Sequence, residues 1–272
     1  MRTRPIEHGR SEDRGVGGLV SKVPHVTFAF WVIKLLATTL GETGGDALSM
    51  SLDLGYAVAS LIYIAFFAVT LAVQVASKRY RPFAYWAVVV ATTTVGTTMS
   101  DYLDRTVGLG YVKSSIMLFC CVIAVLLLWR RVAGRVEFEN ITTRKQEIFY
   151  WLTILVANTL GTALGDFVAS STGLGFERGA LVFAGLLAVV AAAHFWLKRI
   201  SPAVLFWAAY VLTRPLGATL GDTLTKPLAD GGLDLGRILS SIVMVVLMII
   251  GIILVARRER HHHESISGLR RE

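Results

Sequence analysis

The chain is predicted to be an all-α membrane protein, with eight transmembrane helices arranged as four parallel two-helix repeats around a pseudo-fourfold axis. Three observations predict this. A tryptophan followed ten residues later by glycine and fifteen residues later by aspartate recurs four times, as Trp31/Gly41/Asp46, Trp86/Gly96/Asp101, Trp151/Gly161/Asp166 and Trp207/Gly217/Asp222. A Leu-Gly pair closes each unit, nine residues after the aspartate in the first three copies, with a five-residue insertion in the fourth. Such self-similarity marks an internal repeat. The third observation is composition: 54% hydrophobic and 17% charged residues with a mean hydropathy of +0.60 are too apolar for a soluble domain.

Crossing a hydrocarbon core of about 30 Å takes roughly 20 residues of helix. Repeat one supplies apolar runs at 25–48 and 55–77, after 24 polar residues that lack the pattern of a cleavable leader. Its first helix therefore acts as its own insertion signal. A short basic turn ending at Pro82 leads into repeat two, at 82–104 and 111–129. The connection from Arg130 to Glu147 is longer and polar, and sets the chain into a two-plus-two grouping. Repeat three follows at 148–170 and 176–197, then a second basic turn ending at Pro202, then repeat four at 202–225 and 236–256. The membrane domain thus covers 25–256, with repeats at 25–77, 82–129, 148–197 and 202–256, between tails at 1–24 and 257–272. An even number of crossings per repeat makes all four copies enter the membrane in one direction, as parallel rather than inverted repeats.

Twenty of the 27 Lys and Arg residues lie in the tails and the connections between repeats. The turns within repeats hold only Arg105, Lys113, Arg178, Lys226 and Arg237. By the positive-inside bias, both termini are expected to be cytoplasmic. Topology and anionic lipid account for the net charge of +8, and no nucleic-acid partner is expected.

The chemistry is carried by the first helix of each repeat, which reads TTLGETGGD, TTVGTTMSD, NTLGTALGD and RPLGATLGD up to its aspartate. Positions three, four, seven and eight before an aspartate share its helical face. That face holds Thr38, Thr39, Glu42 and Thr43, then Thr93, Thr94, Thr97 and Thr98, then Asn158, Thr159 and Thr162, then Arg214 and Thr219. A carboxylate near a helix centre costs about 2.5–3.5 kcal/mol on insertion scales, so these stripes should face one another or water. They are expected to line a central path crowned by Asp46, Asp101, Asp166 and Asp222, with Glu42 as a fifth carboxylate. Such hard oxygen ligands suit a divalent cation such as Mn²⁺ or Mg²⁺, here as substrate. Lys34 and Arg214 break the symmetry and are expected to compensate charge, by pairing with Glu42 or an aspartate or by gating.

Bland readings stand beside these. The aspartates also suit hairpin capping, and the glycines close helix packing. The repeat tryptophans suit interfacial anchoring. The pairs Ala59-Ser60, Ser114-Ser115, Gly179-Ala180 and Ser240-Ser241 suit packing surfaces, and Cys120-Cys121 apolar filling. His261-His262-His263 is a metal-binding or merely solvated tract. No nucleotide loop or catalytic constellation is present, so no enzymatic activity is expected.

These repeats resemble a family of bacterial integral membrane proteins of unknown function built from four tandem repeats, each with two membrane helices and a Trp. The resemblance covers about residues 25–256, with the Trp, Gly, Asp and Leu-Gly positions matching in every copy, and implies a bacterial inner-membrane location. The function expected is transport of a cation through the carboxylate- and Thr-lined path. Proton-coupled export of a small organic cation and a non-transporting scaffold or sensor remain alternatives. Lipid and the cation are the expected partners.

Overall fold

The structure is a computed structural model that describes residues 21–269 except Lys78, Asn140 and Lys198, with side chains described through Arg258. The His261-His263 tract lies beyond the described side chains. Among the described residues there are eight long helices and no strand. They are α1 (Phe28–Asp46), α2 (Gly55–Ala76), α3 (Pro82–Asp101), α4 (Gly110–Ala133), α5 (Arg144–Asp166), α6 (Gly175–Trp196), α7 (Pro202–Thr225) and α8 (Arg237–Leu269). Six segments are long and apolar enough to cross a membrane: α2, α4, α6, α7, α8 over Arg237–Arg258, and α5 extended to Ser171. α1 and α3 are as long as a crossing needs but carry the polar Thr-rich stretches.

Local sequence explains the helix ends. Thr27 caps α1 by accepting from Phe30 N, and Thr143 with Gln146 forms a capping box at α5. Pro82 and Pro202 open α3 and α7, where a missing N–H costs nothing. After Asp46, Asp101 and Asp166 the chain runs on through one wide π-helical turn, at Ala47–Ser51, Tyr102–Thr106 and Phe167–Ser171. The Leu-Gly motif then has a backbone explanation. Its glycine has φ between 71° and 78° in all four copies, a region that L side chains avoid, and directly begins the outer helix in the first three.

Helices α1, α3, α5 and α7 form a closed inner ring, each touching the next and α7 returning to α1. The outer helix of each repeat lies on the inner helix of the following one: α2 on α3, α4 on α5, α6 on α7 and α8 on α1. This offset links every repeat to its neighbour. The outer helices present apolar side chains outward, including Leu61, Val69, Ile116, Leu181, Val189, Leu239 and Leu254, as lipid contact requires. Their buried positions include the expected small pairs, with Ala59, Ser60, Ser114, Ser115, Ala180 and Ser240 all turned inward. Cys120 and Cys121 are free and exposed on α4 rather than core fillers.

The glycine of each inner helix is where the next inner helix crosses. A Cβ on Gly41 would fall on Thr93, on Gly96 against Asn158, on Gly161 on Arg214, and on Gly217 on Thr38. Each partner stands three residues before its own glycine, so one contact recurs around the ring. Hydroxyl oxygens stand beside the facing carbonyls at these crossings: Thr93 Oγ1 3.1 Å from Ala37 O, Thr97 Oγ1 3.0 Å from Gly41 O and Thr38 Oγ1 3.3 Å from Thr213 O. Helices come this close only where a hydrogen replaces a side chain.

One end of the ring is closed by aromatic rings. The residue before each repeat tryptophan lies against the next repeat's tryptophan: Phe30 on Trp86 (5.5 Å between centroids), Tyr85 on Trp151 (5.4 Å), Tyr150 on Trp207 (5.8 Å) and Phe206 on Trp31 (5.7 Å). The expectation of interfacial anchors is corrected here. Trp86, Trp151 and Trp207 are buried and only Trp31 is partly exposed, because ring packing and the chain above cover them. That covering chain is residues 21–26 and the middle connection. Phe138 stacks on Phe206 at 4.7 Å, Ile141 is fully buried, and Lys22 pairs with Glu147 at 2.9 Å. At the other terminus, α8 continues helically through 257–269, where the sequence had marked a tail.

The crossing geometry sets a stability test. Gly217→Val drives a side chain into Thr38 and is expected to cost about 1–3 kcal/mol or more, read as a lowered thermal midpoint in detergent. Gly185→Ala, where an added Cβ meets nothing within 4 Å, leaves that midpoint unchanged or raised.

Candidate functional site

From the aromatic end toward the aspartates, the ring interior turns from apolar to charged. Lys34 comes first, fully buried on α1, with Nζ 3.4 Å from Asn158 Oδ1 and 4.2 Å from the Tyr210 ring centroid. Asn158 holds its amide by donating to Thr92 Oγ1 at 3.0 Å. Lys34 makes no ion pair among the described residues, which corrects its expected role as partner to Glu42 or an aspartate. The reason is axial distance: eight residues of helix separate Lys34 from Glu42, about 12 Å.

Arg214 comes next and fills the middle of the ring. Its Nη2, which carries two hydrogens, lies 3.0 Å from Glu42 Oε2, 2.5 Å from Thr97 Oγ1, 2.7 Å from Thr162 Oγ1 and 3.4 Å from Thr93 O, and Nη1 3.5 Å from Thr38 O. One guanidinium therefore touches α1, α3 and α5 from α7. Its access comes from Gly161, whose missing side chain leaves room for the Arg214 stem.

The threonine stripes are buried as the helical register requires, but most of their hydroxyl protons go back to their own helices. Thr38 donates to Leu35 O (2.8 Å), Thr43 to Leu40 O (3.4 Å), Thr93 to Val90 O (2.8 Å), Thr94 to Ala91 O (3.0 Å) and Thr98 to Thr94 O (3.2 Å). Thr159 donates to Leu155 O (3.0 Å) and Thr219 to Pro215 O (2.9 Å). This back-bonding is common for helical threonine. Thr39 is buried as well. Of the residues expected to line a path, Thr97, Thr162 and Asn158 are the ones whose side-chain polar atoms meet a charged side chain. Along the Thr-lined stripes the Arg214 side chain, from α7, reaches Thr38 O, Thr97 and Thr162.

The four aspartates collect at the far end, buried, as two bridged pairs. Lys226 Nζ lies 3.2 Å from Asp46 Oδ2 and 3.1 Å from Asp222 Oδ1, and Arg237 Nε 3.4 Å from Asp46 Oδ2. Arg105 Nε lies 3.1 Å from Asp101 Oδ1 and its NH2 3.7 Å from Asp166 Oδ2. Oxygens of Glu42, Asp46 and Asp222 come within 4.8 Å of one another, a spacing that can hold a metal ion. Burial works against the Lys226 ammonium, but Asp222, then Asp46, outweigh it and hold its pKa above the usual lysine range.

Arg105, Lys226 and Arg237 were legible in the sequence only as sparse charges of the turns within repeats. A sharper signal was present. Arg105 and Lys226 stand four residues after Asp101 and Asp222, where repeats one and three have Met50 and Ser170. A basic residue at that helical spacing reaches its own aspartate, and the ring carries it to the next repeat's aspartate too.

Two cavities flank this interior. One of about 370 Å³ beside the aspartates is lined by Arg105, Ser170, Lys226 and Asp230 among others. The other, about 930 Å³, is an apolar groove at the aromatic end, bordered by Trp31, Leu35, Phe195 and Phe206.

A family model described as Repeat of Unknown Function (DUF347) matches the chain four times, at residues 29–80, 84–135, 149–199 and 205–261. Each match contains one Trp–Gly–Asp copy with its inner and outer helix. No curated protein and no solved structure matches the chain.

The Arg214–Glu42 pair generates a double-mutant test. Arg214→Met strands a buried carboxylate and is expected to cost about 3–5 kcal/mol of stability. Adding Glu42→Gln should recover most of that loss in detergent unfolding; a double variant as unstable as the single one contradicts the pairing.

Proposed function

The chain belongs to the DUF347 repeat family, and on that footing we propose that it is a cation carrier of a bacterial inner membrane. All eight helices cross the bilayer in this reading, the inner ring follows a pseudo-fourfold axis along the membrane normal, and both termini are cytoplasmic. The aromatic layer then faces the cytoplasm and the aspartates the outer half of the membrane. The substrate is a hard divalent cation such as Mn²⁺ or Mg²⁺, held by Glu42, Asp46 and Asp222.

One observation carries this proposal: three buried carboxylates from two adjacent inner helices put oxygens within 4.8 Å of one another. Carboxylates so close repel unless cations offset them, and three oxygen ligands supply part of the shell that a divalent ion prefers. Asp101 and Asp166 take the lesser role of a pair bridged by Arg105, a division of labour that the four equivalent sequence copies do not express. Arg214 anchors Glu42 in both loaded and empty states, and Lys34 belongs to the interior barrier between the charged layer and the aromatic layer.

An organic cation would draw instead on the aromatic-lined groove of about 930 Å³. That groove runs along α1 and α7 from the Trp31 and Phe206 end as far as Leu216, six residues before Asp222, or roughly 9 Å along the helix. The carboxylate lining the groove, Glu139, already accepts from Val26 N at 3.2 Å, whereas Glu42, Asp46 and Asp222 cluster tightly, which favours the metal.

Purified protein in vesicles should bind and move Mn²⁺. Glu42→Gln, Asp46→Asn and Asp222→Asn are each expected to lower flux about tenfold or more through loss of a charged ligand, and Asp101→Asn and Asp166→Asn to lower it less. Equal losses at all four aspartates contradict the assignment, and absence of divalent binding or flux in the native chain sinks cation transport altogether.

A further inference from the structure

The geometry points to Lys226 as a tethered counter-ion, whose ammonium stands among the carboxylates when the site is empty and withdraws toward Asp230 when a cation binds. This rests on the carrier reading and names how the same site is neutralised between turnovers.

The position of the ammonium is the first ground. It bridges Asp46 and Asp222 at 3.2 and 3.1 Å, two of the three groups whose oxygens cluster closely enough to hold a metal. The second ground is the fit. Asp222 Oδ1 is buried and accepts no hydrogen bond, although the ammonium is 3.1 Å away. The contact is charge proximity without alignment, which leaves that oxygen free for a better-placed ion.

The third ground is a place for the ammonium to go. Lys226 follows the last residue of α7 with extended backbone (ψ 153°), and its side chain borders both the carboxylates and the cavity of about 370 Å³. Asp230, exposed on the single turn Leu228–Asp230, lines the same cavity. Both residues belong to the segment that repeat four alone carries in lengthened form. Bonds from Leu233 N to Thr223 O (2.7 Å), Asp234 N to Lys226 O (3.0 Å) and Leu235 N to Leu224 O (2.9 Å) fasten that segment to the end of α7. A lysine reaches both positions with its flexible stem.

Arg105 holds the same register in repeat two but is fixed differently. Its contacts to Asp101 Oδ1 and Asp166 Oδ2 are unaligned too, but it also donates to Tyr56 Oη at 3.0 Å and has no third carboxylate at metal-holding distance among the described residues. Lys226 is therefore the exchangeable member of the two.

Empty carboxylates cannot travel through a low-dielectric barrier uncompensated. With Lys226 in place the unloaded carrier returns without a co-transported ion. Without it only the loaded form crosses, and net transport becomes obligatory exchange.

The test compares net ⁵⁴Mn²⁺ uptake into metal-free vesicles with ⁵⁴Mn²⁺ uptake into vesicles preloaded with Mn²⁺, for the whole chain. Lys226→Met, and Lys226→Gln as a second variant of similar reach, should lose net uptake about tenfold or more while retaining exchange within about threefold. Lys226→Arg should keep both. Equilibrium Mn²⁺ binding, read on the same preparations, should tighten in the Met and Gln variants because the competing charge is gone. Asp230→Asn should weaken binding in the native background and leave it unchanged with Lys226→Met. Net uptake and exchange falling together, neither falling, or Asp230→Asn acting equally in both backgrounds overturns the tethered ion. A native chain that neither binds nor moves Mn²⁺ overturns the carrier reading beneath it.

Discussion

The need to neutralise charge inside an apolar bundle governs this molecule. Glu42, Asp46, Asp101, Asp166 and Asp222 are buried within the inner ring or at its end, and each has a basic group within ion-pair distance. Removing a carboxylate from water costs several kcal/mol even after relaxation, so an unpaired one would not stay there ionised. The bridges also cross repeats: α7 meets α1 through Arg214 and Glu42, the residue after α7 meets α1 through Lys226 and Asp46, and the turn after α3 meets α5 through Arg105 and Asp166. Charge pairing thus joins α7 to α1 and α3 to α5, two of the four contacts that close the inner ring.

Close approach of the inner helices makes those contacts possible. Gly41, Gly96, Gly161 and Gly217 each receive a residue of the next inner helix, and in three of four copies that residue is polar and uncharged. In the fourth it is Arg214, and the same socket that elsewhere accepts Thr or Asn delivers a guanidinium to the axis. One packing rule, applied four times, thus yields three structural contacts and one charged centre. The aromatic layer obeys a similar cyclic rule at the opposite end, where Phe or Tyr of one repeat meets Trp of the next. The interior is consequently graded, aromatic at one end and ionic at the other.

Alternation of the basic residues has a further consequence. Repeats two and four carry Arg105 and Lys226 after their aspartates, while repeats one and three do not. Arg105 serves one pair of aspartates and Lys226, with Arg237 beside Asp46, the other, and the sites so formed are unequal because Glu42 adds a carboxylate to one of them. Equivalence in the repeat pattern does not extend to equivalence of chemistry, since a single added charge changes the electrostatics of a buried cluster more than any packing difference does.

Helix number, approximate helix limits, the fourfold repeat and the burial of the polar stripes were all readable from residue spacing. Each depends on local periodicity and on the cost of polar groups in an apolar surrounding, and both act on short segments. The aspartates and Glu42 were readable for the same reason. Which cation met which carboxylate was not. Lys34 and Glu42 looked like partners on one helix, yet Lys34 meets Asn158 and Tyr210 while Glu42 meets an arginine 172 residues away. The tryptophans looked interfacial because Trp favours membrane interfaces, yet ring closure and the segment over it buried three of them. The sequence by itself determined the segments and their polar faces. Only the tertiary structure decided the pairings, because the offset by which each outer helix lies on the next repeat, and each glycine opens to the next inner helix, sets distances between residues that no local period encodes.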